Sequence, residues 1–288
     1  MCSRTFLSIL ALTAALAWGG DANAVCPSHE RVNTILRFQE AREPIRGLPV
    51  DLSMRDAECG RRRLVEKLEA HENRIVGYKA GLTSAKMQAQ FGAASPVRGV
   101  LLEKMLLTDG ADVQFDFGAR PMLEADLIVV VKDAAIHKAK THVEVLRSLS
   151  MVVPFIELPD LLVAEGEKLS APLLVSLNVG ARLGVVGRGI PVQATPAFAE
   201  ALASMRVIVT DRSGKELASG TGASILDHPL NAVLWLVQDL EKSRIRLKAG
   251  DLLSLGSFTQ PLTPSPGLAV AVRYEGLPGD PTVSVRFK

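Results

Sequence analysis

Apolar residues recur along this chain in two rhythms, and the change between them divides it. Over residues 32–43 the apolar positions Val32, Ile35, Leu36 and Phe38 keep the three-to-four spacing of a helix face, and Pro44 stops the pattern. Ser53 with Asp56 three positions on has the form of a capping box, and it precedes a second helix whose Leu64 and Leu68 share a face. These two helices predict a small helical cap over residues 25–74. Beyond Arg74 the rhythm turns to short β-rich runs at 75–79, 113–117, 123–131, 205–210, 251–255, 268–274 and 282–287, separated by Gly, Pro and Asp turns. Few helical patterns interrupt them. The clearest is Pro229–Lys242, where Leu230, Val233, Leu234, Val237 and Leu240 form one stripe behind a first-turn proline. The pattern predicts an α+β domain over residues 75–288, with a mixed or mostly antiparallel β core and two or three helices laid against it.

The first residues follow a different logic. Arg4 is a short basic start, residues 6–18 are uncharged and apolar, and Ala22-Asn23-Ala24 offers a small-x-small cleavage pattern. Residues 1–24 therefore predict a cleaved signal peptide and a mature chain that begins at Val25, periplasmic or secreted. No other run approaches the roughly 18 apolar residues of a membrane span, so no stable membrane insertion is expected. Loss of Cys2 with the signal leaves Cys26 and Cys59, which read either as one disulfide around the first helix or as two unrelated core residues. The formal net charge is +2, and the signal takes away one charge of each sign, Arg4 and Asp21. A balance this near neutrality gives no footprint for nucleic acid or an acidic membrane.

Candidate chemistry enters at residues 121–131, PMLEADLIVVV. Glu124 and Asp126 stand two apart at the mouth of an apolar run, and a strand sends such residues to one face. Adjacent carboxylates at an apolar edge repel and lose solvation, so they call for a cation, a proton or a basic partner. A second apolar segment, 151–157, ends in Glu157. Three oxygen ligands without Cys or His suit a hard ion such as Mg²⁺ or Mn²⁺; taken alone, Glu124 and Asp126 also read as a strand's solvent edge.

Four stretches in order decide between these readings: GYKAGLTSAKMQAQFG (77–92), PMLEADLIVVV, VVPFIEL (152–158) and SGTGASILDHPLNAVLWL (219–236). Together they resemble the fumarylacetoacetate hydrolase superfamily, on the side of 2-oxopent-4-enoate hydratase and 4-oxalocrotonate decarboxylase, enzymes of aromatic-ring breakdown. The resemblance covers essentially the whole mature chain. It implies a mixed β-roll core with a small helical cap, and a divalent ion, Mg²⁺ or Mn²⁺, held by Glu124, Asp126 and Glu157, with Asp126 one methylene shorter than the family's Glu. It further implies a small 2-oxo or enol acid as substrate, Lys79 as the catalytic lysine, Asn178, Gly220, Thr221 and Gly222 at the substrate, and a homo-oligomer. His228 matches the family's His but, at a helix start, reads as structural. Two departures stand out: Val97 occupies the place of the family's acid, and Gly180 that of its Ser. Glu103, close behind the altered loop, is a candidate replacement acid. An exported relative that binds an acidic metabolite or a partner without turnover is the competing reading.

Overall fold

The computed structural model describes residues 26–49, 51–70 and 73–288, so the expected signal peptide lies outside the described residues. In chain order the elements are α1 (His29–Ala41), α2 (Met54–Glu69), β1 (Ile75–Gly81), α3 (Ala85–Phe91), β2 (Val97–Leu102), β3 (Leu106–Thr108), β4 (Ala111–Val113) and β5 (Glu124–Val131). There follow α4 (His142–Arg147), β6 (Leu149–Leu158), α5 (Ala171–Ser176), β7 (Leu183–Val186), β8 (Ile190–Pro191), α6 (Pro196–Ser204), β9 (Arg206–Asp211) and β10 (Glu216–Thr221). The last elements are α7 (Pro229–Lys242), β11 (Leu252–Ser254), β12 (Ala269–Glu275) and β13 (Thr282–Phe287).

Two sheets form. The larger has the order β2-β1-β11-β5-β6-β7-β3, with β8 also on β6, and the smaller has the order β10-β9-β12-β13-β4. Both are mixed: β1 with β11, β3 with β7 and β4 with β13 are parallel, and the other pairs are antiparallel. The main core lies where one face of each sheet meets α7. Leu127, Val129, Val131 and Ile156 come from the larger sheet, Val207, Val209, Val272 and Val285 from the smaller, and Leu230, Val233, Leu236 and Leu240 from the helix. Strand alternation explains this: odd-numbered residues of β5 face the core, which frees Glu124, Asp126 and Ile128 for the opposite face.

The two expected N-terminal helices are present. Ser53 accepts a hydrogen bond from Asp56 N at 3.1 Å, and α1 and α2 share with α5 a smaller cluster of Val32, Ile35, Leu64, Leu162, Leu173 and Leu177. Cys26 and Cys59 are bridged, with Cα atoms 5.4 Å apart, which ties the start of the described chain to α2. Two expectations fail. Strand 113–117 is not formed: β4 ends at Val113, and the chain turns through a Phe117 N to Gln114 O bond before Gly118. And five α-helices, not two or three, follow β1. Of these α3 to α6 run only 6 to 9 residues, too short to show an apolar stripe, and are marked instead by the side-chain caps Ser84, Thr141, Ser170 and Thr195.

Candidate active site

Strand direction gathers the chemistry. β1 runs parallel to β11, β11 antiparallel to β5, and β5 antiparallel to β6, so the C-terminal ends of β1, β11 and β6 and the N-terminal end of β5 meet along one edge of the sheet. That edge receives Lys79, Ser254, Glu157, Glu124 and Asp126. Glu124 and Glu157 are directly opposite in the ladder, and Asp126 is next along, opposite Phe155. Like charges set opposite one another in a sheet repel, and here they are also enclosed: Lys79 is 3%, Glu157 2% and Asp126 0% exposed, while Glu124 keeps an edge in solvent.

Each charge responds to that enclosure. Burial, then the neighbouring Glu157 charge, pushes the Glu124 carboxyl up to about 7 against the opposing pull of Lys79. The same two causes raise Asp126, although Ser254 and backbone amides favour its charged form. Burial pulls Lys79 down, but Glu157, Glu124 and Asp126 more than offset it, so the ammonium is held above its ordinary range and stays charged. Its Nζ touches Glu157 Oε1 and donates to Val179 O at 3.0 Å.

Asp126 is tied down more than its position suggested. Oδ1 accepts from Leu127 N at 2.5 Å, Gly256 N at 2.9 Å and Leu255 N at 3.1 Å, and Oδ2 accepts from Ser254 Oγ at 2.5 Å. Tyr274, buried behind it, donates its hydroxyl to Asp126 O. The shorter side chain is thus drawn back onto the end of β11, and among the described residues no three His, Cys, Asp or Glu side chains converge closely enough to hold an ion as they stand. The three expected ligands are brought to one edge but not into one ligand set. Their chemistry nonetheless fits a hard divalent cation. Three carboxyl groups against one ammonium would, if all were ionised, leave two negative charges in excess in a buried place, and burial raises Glu124 and Asp126 against that excess. Among the described residues the Glu124 carboxylate makes no hydrogen bond, Glu157 Oε1 meets Lys79 without an aligned one, and Asp126 Oδ2 keeps a free lone pair beside Ser254.

The turn that supplies the Val179 carbonyl is strained. Asn178, Val179 and Gly180 all have positive φ, at 55°, 55° and 68°, and a β-branched residue there is an outlier that surrounding structure must enforce. Asn178 does much of the enforcing. Its Oδ1 accepts from Val100 N at 2.8 Å and its Nδ2 donates to Val100 O at 2.9 Å, so its amide pairs with the outer strand β2 as another strand's peptide would. Asn178, expected at the substrate, is thereby 2% exposed and engaged in holding the turn. Further residues of positive φ, Leu82, Leu226 and Asp227, flank the same edge, joined by the bond from Leu226 N to Thr83 O. The sequence carried no signal for this turn, for Ser254 or for Tyr274, because each acts through a partner 78 to 148 residues away along the chain rather than through a local pattern.

The other expected positions divide. Gly220 and Gly222 allow backbone to approach backbone: a Cβ on Gly220 would lie 2.1 Å from Phe258 O, and one on Gly222 would lie 1.8 Å from Leu202 O. Thr221 is exposed at the end of β10. This segment reaches the edge through Phe258, whose N–H donates to Ala125 O at 2.9 Å. Val97 is buried with Leu82 and Val179 in an apolar cluster. Glu103 does not replace the missing acid: it lies beyond the far end of β2, exposed, in a two-bond pair with Arg74 at 2.8 and 3.0 Å. His228 is structural, as expected. Nδ1 accepts from Leu230 N at 3.0 Å, which leaves Nε2 to donate to Ala199 O at 3.1 Å, and the ring stacks on His142 with centroids 3.7 Å apart.

No protein-family model matches the chain. Its fold is that of the fumarylacetoacetate hydrolases, as in a putative member from Yersinia pestis CO92, 16% identical with a TM-score of 0.51 over 73% of this chain and 92% of that one. Much nearer is the 4-oxalocrotonate decarboxylase of Pseudomonas putida G7, solved with magnesium and adipate: TM-score 0.80 and 28% identity, covering 91% of this chain and 99% of that chain. A 2-keto-4-pentenoate hydratase of Dechloromonas aromatica (strain RCB) is 30% identical over 209 residues, 72% of this chain and 77% of that protein. The chain belongs to the family of 2-oxopent-4-enoate hydratases and 4-oxalocrotonate decarboxylases.

Proposed function

We propose that this protein is a divalent-metal-dependent lyase, a hydratase or decarboxylase, acting on small 2-oxo or enol carboxylic acids such as 2-oxopent-4-enoate. The observation that carries the reading is the buried edge where the three carboxyl groups of Glu124, Asp126 and Glu157 face the one ammonium of Lys79. Mg²⁺ or Mn²⁺ would offset the carboxylates in their ionised form, held by Glu124 and Glu157 with Asp126 Oδ2 beside them. Bound there, such an ion would supply Lewis acidity toward the oxygens of a 2-oxo acid. Lys79 supplies a fixed positive charge in a water-poor site, placed to hold an enolate-like oxygen. Val97 carries no proton, and a lost general acid typically lowers rates by roughly 10²- to 10⁴-fold, so slow turnover is expected relative to enzymes that keep the acid.

Export to an oxidising compartment belongs to the same proposal. The Cys26–Cys59 bridge supports it, and N-terminal sequencing of exported protein should begin at Val25. Self-association is also part of it, supported by outer strands such as β10, and light scattering on the mature protein should give a mass above one chain. The deciding experiment is calorimetric titration of metal-stripped mature protein with Mg²⁺ and Mn²⁺, with and without oxalate as a stand-in for the chelating acid. Ion binding that oxalate strengthens and Glu124→Ala abolishes is the expected result. Binding indifferent to Glu124, or none, would sink the lyase reading.

A further inference from the structure

Three arginines follow one another on α2, and the fold treats each differently. Arg62 is exposed, and Arg63 is half-buried and donates to Pro27 O at 2.7 Å. Arg61 is 7% exposed, and its Nη1 donates to Arg98 O on β2. Burial, then the Arg98 charge, pulls the Arg61 guanidinium down to about 10 against the opposing pull of Glu58 and Asp239, so it stays charged in the interior. Enclosing a charge is costly unless it makes hydrogen bonds, and the partner of this one is a backbone carbonyl.

That carbonyl belongs to an edge that no strand covers. β2 is the outermost strand of the larger sheet, and antiparallel pairing with β1 turns the N–H and C=O of every second residue outward. Val100 presents both groups outward to Asn178, and two residues back Arg98 turns its C=O the same way, to Arg61. Gly99 lies between them. A Cβ there would come within 2.8 Å of Lys79 Cγ, 3.1 Å of its Cδ and 2.9 Å of Asn178 O, so the Lys79 stem runs across this one residue beneath the turn. From there Nζ reaches Val179 O and Glu157. The strip 98–100 supports the ammonium, and side chains rather than a neighbouring strand fasten it on both sides of Gly99.

We propose that Arg61 is a positioning residue of the site: by holding Arg98 O it fixes the strip of β2 across which the Lys79 side chain lies. It acts through Gly99 and not by its own charge, since the charges that raise Lys79 are those of Glu157, Glu124 and Asp126. Without that donor, Arg98 O would be left unpaired on a buried strand and the strip would be held by Asn178 alone. A misplacement of about 1 Å can cost about 100-fold in rate, and a loosened support for Lys79 should cost about tenfold. The inference deepens the lyase reading above, but the first arm of its test does not depend on turnover.

Arg61→Met removes the donor and keeps the apolar stem, Arg61→Lys restores a donor, and Arg63→Met cuts the bond to Pro27 O as the control for a merely loosened α2. In metal-free mature protein, the rate at which Lys79 is acetylated, followed by peptide mass spectrometry, reads the seating of the ammonium. It should rise about tenfold in Arg61→Met and stay within about twofold of wild type in Arg61→Lys and Arg63→Met. In protein loaded with Mg²⁺, kcat for 2-oxopent-4-enoate should fall about tenfold in Arg61→Met with KM within about twofold, and Arg61→Lys should recover most of the loss. If Arg61→Met does not fold, Arg61→Gln, too short to span the same gap, takes its place. Equal labelling of Lys79 in wild type and Arg61→Met, or equal changes in Arg61→Met and Arg63→Met, would overturn the inference and leave the lyase reading standing. A wild type that turns over no 2-oxo acid would remove the lyase reading, and the labelling would then decide by itself whether Arg61 seats Lys79.

Discussion

Asn178→Ala separates a structural role from a substrate-contacting one. In the structure Asn178 satisfies both the N–H and the C=O of Val100, which is 5% exposed on the outermost strand of the larger sheet. Alanine would leave two buried backbone groups unpaired, at about 1–3 kcal/mol each. It would also sit at φ 55°, where an L-residue other than Gly or Asn costs about 1–2 kcal/mol more. Allowing for some water reaching the outer strand, a loss of about 4 kcal/mol is expected. With a urea slope near 3 kcal/mol/M, the unfolding midpoint should fall by about 1.3 M. Asn178→Gly removes the clamp but tolerates the backbone, so it should cost about 1 kcal/mol less than alanine. Because the clamp also holds the Val179 carbonyl against Lys79, kcat should fall in both variants. A loss below about 1 kcal/mol for Asn178→Ala, with KM raised and kcat kept, would refute this account and restore Asn178 to the substrate.

Lys79→Met removes the one ammonium facing three carboxylates, and breaking a buried pair typically costs about 3–5 kcal/mol. Carboxylates pushed up by burial can protonate in compensation, so the metal-free variant should be hurt more at pH 8 than at pH 5.5 in urea unfolding; equal losses would argue against a buried ionic cluster. His228 makes the opposite pH prediction. Its pKa is lowered from 6.5 to about 4 by burial and by His142, so the unfolded chain takes up a proton that the folded one refuses as pH falls from about 6.5 to 4. Stability should decline across that window, and His228→Asn, which keeps a helix-capping acceptor, should flatten the decline in thermal unfolding. A wild-type profile no steeper than that of His228→Asn would remove the histidine pair as its cause.

Local chemistry determined a good deal. The period of the apolar residues placed β13 and α7 at their observed bounds and β1, β5, β9, β11 and β12 within two residues, because a half-buried strand or helix face imposes its rhythm on the residues that fill it, while the short strands β2, β3, β7, β8 and β10 had no expected counterpart. The same rhythm put Glu124 and Asp126 on one face and gave Glu157 a matching strand. What it could not reach was anything set by pairing across the sheet. That Glu124 lies opposite Glu157 follows from the β5–β6 register, and that Lys79 joins them follows from β1 lying two strands away across β11. Asp126 looked like a free ligand because its four hydrogen-bond donors include Ser254, Leu255 and Gly256, roughly 130 residues on. Asn178 looked like a substrate contact because Val100, which its amide clamps, is 78 residues away. Val97 is the converse case: the family resemblance implied that the acid was missing, and only the packing of Leu82, Val97 and Val179 showed what stands there instead, a buried apolar cluster.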